Sequence, residues 1–339
     1  MIQKWIDIKD NFNDAIVVGN GGSRAVSGAF AYRSLLEKAR QDGHVNEELT
    51  QLFERFKTED FENLLRKLWY AQQVNDVLDI ESDAIGQAYE TIQGALAQAV
   101  RSAHCTYTDA LPYFGEIATF LSQFKTIFSL NYDLITYWVM MHSNDNQNTH
   151  KFKDCFVKAG GGFEFNWGYL RSSQIPNQKV SLVFYPHGAL SLLIGEERSV
   201  KKIINDEGAS YLETIIDNWE AEKNPPLIIC DGNSESKKRN IINNKYLSDV
   251  YQNALPNSGP SLTVYGWSMG PQEQHIIDQI MNGNYERIAC SVHQPQTQSG
   301  EDFMASVQRK FRDTGIEVTF FDAACSGCWV NPLEEVAAE

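Results

Sequence analysis

Ala15-Ile-Val-Val is a continuous apolar run that stops at Gly19-Asn20-Gly21-Gly22-Ser23, after which Ala25 to Ala39 reads as a helix with Phe30, Leu35 and Leu36 inward. The order is strand, glycine turn, helix. From Asn46 to about Lys125 the period becomes helical, with apolar stripes at Leu49, Leu52, Phe53 and Phe56, then Phe61, Leu64, Leu65 and Leu68, then Ile85, Ala88, Tyr89, Ile92 and Leu96. Strand-like runs return at Thr126 to Leu130 and Val180 to Tyr185, the latter followed by Leu190 to Ile194. Between them Asp133 to Met141 reads as a helix, Ser143 to Thr149 as an Asn-rich surface loop, and Gly160 to Asn177 as irregular. Further on, Leu227 to Cys230, Leu262 to Tyr265, Ile288 to Val292 and Val318 to Phe321 read as buried strands separated by helical stretches at 236 to 254, 272 to 282 and 301 to 313. Wholly apolar strands alternating with helices predict a parallel sheet covered on both faces. The expected fold is α/β, a Rossmann-like parallel sheet in one domain over 1–339, interrupted by an inserted helical subdomain over 46–125.

Composition narrows the partners. In 339 residues, 44 Asp and Glu outweigh 29 Lys and Arg for a formal charge of -15, a field that repels phosphate backbones and anionic lipid. No direct nucleic acid or membrane partner is expected. The start, MIQKWIDIKDNFNDA, has no basic segment followed by an apolar one, and Val180 to Gly195 is too short and too broken by Pro186 and His187 to span a bilayer. Six scattered cysteines make no disulfide framework. The expected location is the reducing cytoplasm.

Ligands of such sheets bind at the carboxyl ends of the strands, so those ends carry the candidate chemistry. The glycine turn at Gly19 to Ser23 lets backbone N–H groups approach a pyrophosphate, or is simply a tight structural turn, and it lacks the G-x-G-x-x-G spacing of dehydrogenases. Asn131 and Asp133 stand two residues apart at a helix start, where either a site role or a helix cap fits. His187, in Tyr185-Pro186-His187-Gly188, is a candidate general base or a structural histidine. Tyr265-Gly266-Trp267-Ser268 combines a glycine and a hydroxyl at a fourth strand end, and taken singly is only a turn.

In order and spacing, the set Gly-Asn-Gly-Gly-Ser, Leu-Asn-Tyr-Asp, His-Gly and Tyr-Gly-Trp-Ser resembles the SIR2-like superfamily, specifically the bacterial SIR2-like (DUF4917-like) proteins related to NAD-consuming anti-phage effectors. The resemblance runs from Val17 to about Val292, with the helical block as a variable insertion. It implies that Gly19, Asn20, Gly21 and Ser23 line the pyrophosphate and adjoining ribose, and that Asn131 and Asp133 lie by the nicotinamide ribose. It makes His187 the catalytic histidine, and sets Gly266 and Ser268 on the adenosine side with Ser291 or His293 near the adenine. It departs from the protein deacetylases in two ways. Leu130 replaces their glutamine before Asn131, and the region of their zinc module holds only Cys230. The remaining pair, Cys325-Ser-Gly-Cys328, would need two zinc ligands from elsewhere, so no metal is expected.

What the resemblance implies is NAD+ as substrate, cleaved to nicotinamide and ADP-ribose by a regulated effector of anti-phage defence. Regulation implies self-assembly into a homo-oligomer or an activating partner chain, since only 18 residues follow Phe321. The helical block is one candidate surface for it, and core packing is the other reading of its stripes. A catalytically silent NAD or ADP-ribose sensor subunit and an ADP-ribosyltransferase are the alternatives. A dehydrogenase is disfavoured because its acidic ribose-binding residue is also missing.

Overall fold

The computed structural model describes residues 2–31, 35–59, 61–146, 149–157, 162–194, 199–204, 210–221, 226–229 and 233–333. Its strands are β1 Ile2–Gln3, β2 Ala15–Val18, β3 Thr126–Ser129, β4 His150–Lys153, β5 Lys179–Phe184, β6 Gly188–Ile194, β7 Val200–Lys202, β8 Pro226–Ile228, β9 Ser261–Tyr265, β10 Arg287–Val292 and β11 Glu317–Asp322. Eight of them form one sheet in the order β1-β11-β10-β9-β2-β3-β5-β4. Every pairing in it is parallel, with Ala15 opposite Thr126 on one side and Leu262 on the other. Strands β2, β3 and β9 are buried along their whole length, as strands covered on both faces must be. The fold is therefore the α/β, Rossmann-like parallel sheet that the pattern predicts.

The strand order reverses between β2 and β9. From β2 the chain passes to β3, out to the edge strand β4 and back in to β5, and later returns to the other flank of β2 as β9 and continues to β10 and β11. Connections leave β2 and β9 in opposite directions, the arrangement that in parallel sheets places a ligand crevice beyond the carboxyl ends of the strands. The glycine turns at Gly19 and Gly266 follow these two strands.

Two expectations on elements need correction. The apolar runs at 190–194 and 227–230 are not strands of the main sheet, because β6 and β8 pair with each other in a separate antiparallel sheet of order β7-β6-β8. Gly188 turns the chain away after β5 with a φ of 77°, and a Cβ there would stand 1.9 Å from the Leu227 carbonyl oxygen. An apolar run reports burial without naming its partner strand, and Cys230 itself lies outside the described residues. The helix expected over Ala25 to Ala39 starts earlier and breaks. It runs over Asn20–Val26, then Ser27 is extended and accepts a hydrogen bond from Ala29 N, and a second helix covers Leu35–Gln41. Phe30, Leu35 and Leu36 are buried nonetheless. The helical stretch at 236 to 254 is likewise divided into Ser234–Ile242, Lys245–Asp249 and a π-helical turn at Val250–Ala254.

Between 46 and 125 the described elements are all helical, chiefly Glu47–Arg55, Phe61–Val77, Asp83–Ala103 and Phe114–Leu121. Asn46 caps the first by accepting from Leu49 N. The stripes at Leu49 and Phe53, Phe61 to Leu68, and Ala88 to Leu96 face inward, whereas Phe56 is exposed. No helix among the described residues is long and apolar enough to cross a membrane.

Candidate active site

The two glycine turns pack backbone against backbone. Gly19 N–H donates to the Tyr265 carbonyl at 2.9 Å and Gly21 N–H to the Gly266 carbonyl at 2.7 Å. A Cβ on Gly19 would lie 2.6 Å from Trp267 Cβ, and one on Gly266, whose φ is 65°, only 2.4 Å from Gly22 N. Gly266 N–H in turn donates to Ser291 Oγ at 3.0 Å, which ties the end of β10 to the same junction. These glycines allow the close approach of the two turns, and the Gly21 amide is engaged within the protein. Asn20 and Ser268 are exposed at the rim, as is His293, while Met269 is buried in a left-handed conformation at φ 50°.

Beside this junction three polar side chains form one buried network. Asn131 Nδ2 donates to the Gly19 carbonyl at 3.0 Å and to Ser23 Oγ at 2.8 Å, and Ser23 Oγ donates to Asp133 Oδ2 at 2.5 Å. Asp133 Oδ1 accepts from Ile135 N at 2.9 Å, so the residue also caps the Ile135–Asn146 helix. Burial raises the Asp133 carboxyl above the ordinary carboxylate range, opposed by nearby His104 and by its hydrogen bonds.

His104, which no motif marks in the sequence, follows the last turn of the Asp83–Ala103 helix. Its Nε2 accepts from Leu134 N at 2.9 Å, which leaves Nδ1 to donate to the Cys105 carbonyl at 2.8 Å and fixes a neutral tautomer. Burial also holds its pKa below the usual value.

His187 follows β5, next to the end of β3, and is buried. Its Nε2 faces His275 Nε2 at 3.0 Å and Glu273 Oε2 at 3.3 Å. His275 Nδ1 meets Ser234 Oγ at 3.2 Å, and Lys237 Nζ holds the other Glu273 oxygen at 2.7 Å. These contacts link Ser234, His275 and His187 in one buried chain, with Glu273 beside the two rings. Burial and the Lys237 charge push His187 well below the ordinary histidine range, and burial takes His275 to about 3. Both rings are neutral near pH 7.

Two buried polar atoms in the segment that follows β9, Trp267 Nε1 and Glu273 Oε2, have no hydrogen-bond partner among the described residues. The ligand atoms of His187, Glu273 and His275 lie within 4.8 Å of one another, a donor set of the kind that holds a divalent cation. Lys237 offsets the carboxylate charge that would favour one. Glu273, His275, Ser234 and Lys237 were missed in the sequence because no motif marks them. They lie in or next to the Ser234–Ile242 and Gln274–Met281 helices, which pack on each other, and only folding brings them to His187.

A family model described as "Domain of unknown function (DUF4917)" matches residues 16–329. No curated protein matches the chain.

Proposed function

The chain belongs to the DUF4917 family, and from that premise we propose that it is a SIR2-like NAD+ hydrolase acting as a regulated effector of anti-phage defence. The family description carries no activity, so the reading is supported by the strand ends. The observation that carries it is the buried Ser23–Asn131–Asp133 network abutting the turn at the β2/β9 crevice, with neutral His187 at the next strand end.

In this reading NAD+ lies across the ends of β9, β2, β3 and β5. The nicotinamide glycosidic bond breaks through an oxocarbenium-like state, and Asp133 stabilises the positive charge that develops. Asn131 orients the nicotinamide or the attacking water. His187 takes the water proton, giving nicotinamide, ADP-ribose and one proton per NAD+ consumed. Its Nε2 turns from His275 to do so, and Glu273 Oε2 stabilises the imidazolium. The Trp267 indole N–H supplies a donor to the nucleotide.

Control by assembly belongs to the same proposal. The end of the Phe61–Val77 helix and the turn after it expose Tyr70, Val74, Val77, Leu78 and Ile80, an apolar stripe suited to a second copy or an activating chain. One observation favours a second reading, an NAD or ADP-ribose sensor without turnover: His275 Nε2 already stands 3.0 Å from His187 Nε2.

The test is NAD+ incubated with the purified protein, alone and with extract of phage-infected cells, and products separated by chromatography. Stoichiometric nicotinamide and ADP-ribose support the hydrolase. Bound but intact NAD+ in both conditions supports the sensor, and transfer of labelled ADP-ribose to protein supports a transferase.

A further inference from the structure

Cys325 and Cys328 lie just beyond β11, and their sulfurs are 3.5 Å apart. A turn creates this proximity. Cys328 N–H donates to the Cys325 carbonyl at 3.2 Å, and Gly327 takes the positive φ of 81° that the turn's third position needs. The two thiols differ in their surroundings. Cys325 is half-buried and accepts a hydrogen bond from Trp5 N at 3.3 Å, whereas Cys328 is buried. Hydrogen bonds from Cys328 and Trp5 hold the Cys325 thiol down at about 7, and its neighbour and burial push Cys328 up. An accessible thiol titrating near ambient pH beside a buried resolving thiol is the arrangement that thiol–disulfide exchange requires.

The residue after Cys328 reaches the glycine turn. Trp329 Nε1 donates to the Gly22 carbonyl at 2.8 Å, its ring stacks on Tyr265 at 5.4 Å, and a Cβ on Gly22 would stand 3.1 Å from it. Its φ of 52° is left-handed, a strained setting for a tryptophan that these contacts hold in place. Closing the pair needs the sulfurs to come from 3.5 Å to about 2.05 Å. Trp5 and the Asp322–Cys325 turn anchor the Cys325 side, so the movement reaches Cys328 and the tryptophan joined to it.

We propose that Cys325 and Cys328 are a thiol–disulfide exchange site for disulfide-bearing oxidants, and that closing their bridge loosens the hold of Trp329 on the Gly19–Val26 segment. The Cys325 thiolate attacks the oxidant's disulfide, forming a mixed disulfide and releasing one thiol. Cys328 then loses its proton and attacks the Cys325 sulfur, releasing the second thiol. Two electrons and two protons pass to the oxidant, which leaves as two thiols. Any effect on turnover rests on the NAD+ reading, but the exchange chemistry and the loosening do not.

The test treats the full chain with glutathione disulfide, then combines peptide mass mapping with amide hydrogen exchange. The tryptic peptide after Arg312 holds these two cysteines and no Lys or Arg. It should lose two hydrogens, with Cys328→Ser instead trapping a glutathione adduct on Cys325 and Cys325→Ser staying reduced. Exchange in 20–26 should accelerate about tenfold on oxidation. Trp329→Phe should show that acceleration already when reduced, with little further change. A peptide that keeps both thiols or stops at the adduct overturns the site. A bridge that forms while 20–26 exchanges unchanged overturns the coupling to Trp329.

Discussion

Ser23 and Asp133, 110 positions apart in the chain, meet through a 2.5 Å hydrogen bond that joins the glycine-turn helix to the segment after β3. The carboxylate is buried, so losing that donor leaves it under-compensated at a cost of about 1–3 kcal/mol. Ser23→Ala should lower stability by that amount in urea unfolding and weaken nucleotide binding, whereas Ser23→Thr should preserve much of both. An alanine variant as stable as the parent would contradict the network.

Gly266 holds a left-handed conformation against the amide of Gly22. Gly266→Ala adds a Cβ where one turn touches the other and should cost about 1–3 kcal/mol. Gly28→Ala, where nothing lies within 4 Å, is the control for a glycine in open space. Equal midpoints for the two variants in thermal unfolding would contradict the close packing.

Glu273 pairs with buried Lys237 and reaches toward His187. Glu273→Ala leaves the lysine charge uncompensated and should destabilise by about 3–5 kcal/mol. Glu273→Gln keeps the volume and should fold better while losing the support for a protonated His187. A drop in kcat with little change in KM would separate that role from packing.

Stability should fall with acid. His187, His275 and His150 are all buried and held low, the last two at about 3 and about 4. Unfolding lets each take up a proton below its ordinary value of about 6.5, so the unfolded state binds more protons there. Their stabilising effect is complete above that value and shrinks as pH falls toward the folded values, by up to about 1.4 kcal/mol per pH unit for each ring. Denaturant unfolding between pH 7 and pH 4 should show this slope, and His150→Asn should make it shallower. A stability that is flat or rises on acidification would contradict it.

Much of this architecture is legible in the sequence because buried parallel strands are written as apolar runs such as Ala15–Val18, ended by glycine or amide residues. Ser23, Asn131, Asp133 and His187 do converge on neighbouring strand ends. Partner choice is not legible. The run at 227–229 looks like any buried strand, and only the turn at Gly188 diverts its partner into a second sheet. His104, His275 and Glu273 carry no local signature, since each gains its role from a group more than 20 positions away. The glycines expected to cradle a phosphate serve the close approach of two turns, a contact that one strand's sequence cannot contain.

The most direct measurement is nicotinamide release from NAD+ by the protein, activated with infected-cell extract where required, compared with His187→Ala and Asn131→Ala variants whose folding is checked by circular dichroism. Turnover by the parent and a loss of at least about a hundredfold in each folded variant are expected. Undiminished release by both, or none by the parent in any condition, would contradict the NAD+ hydrolase proposal.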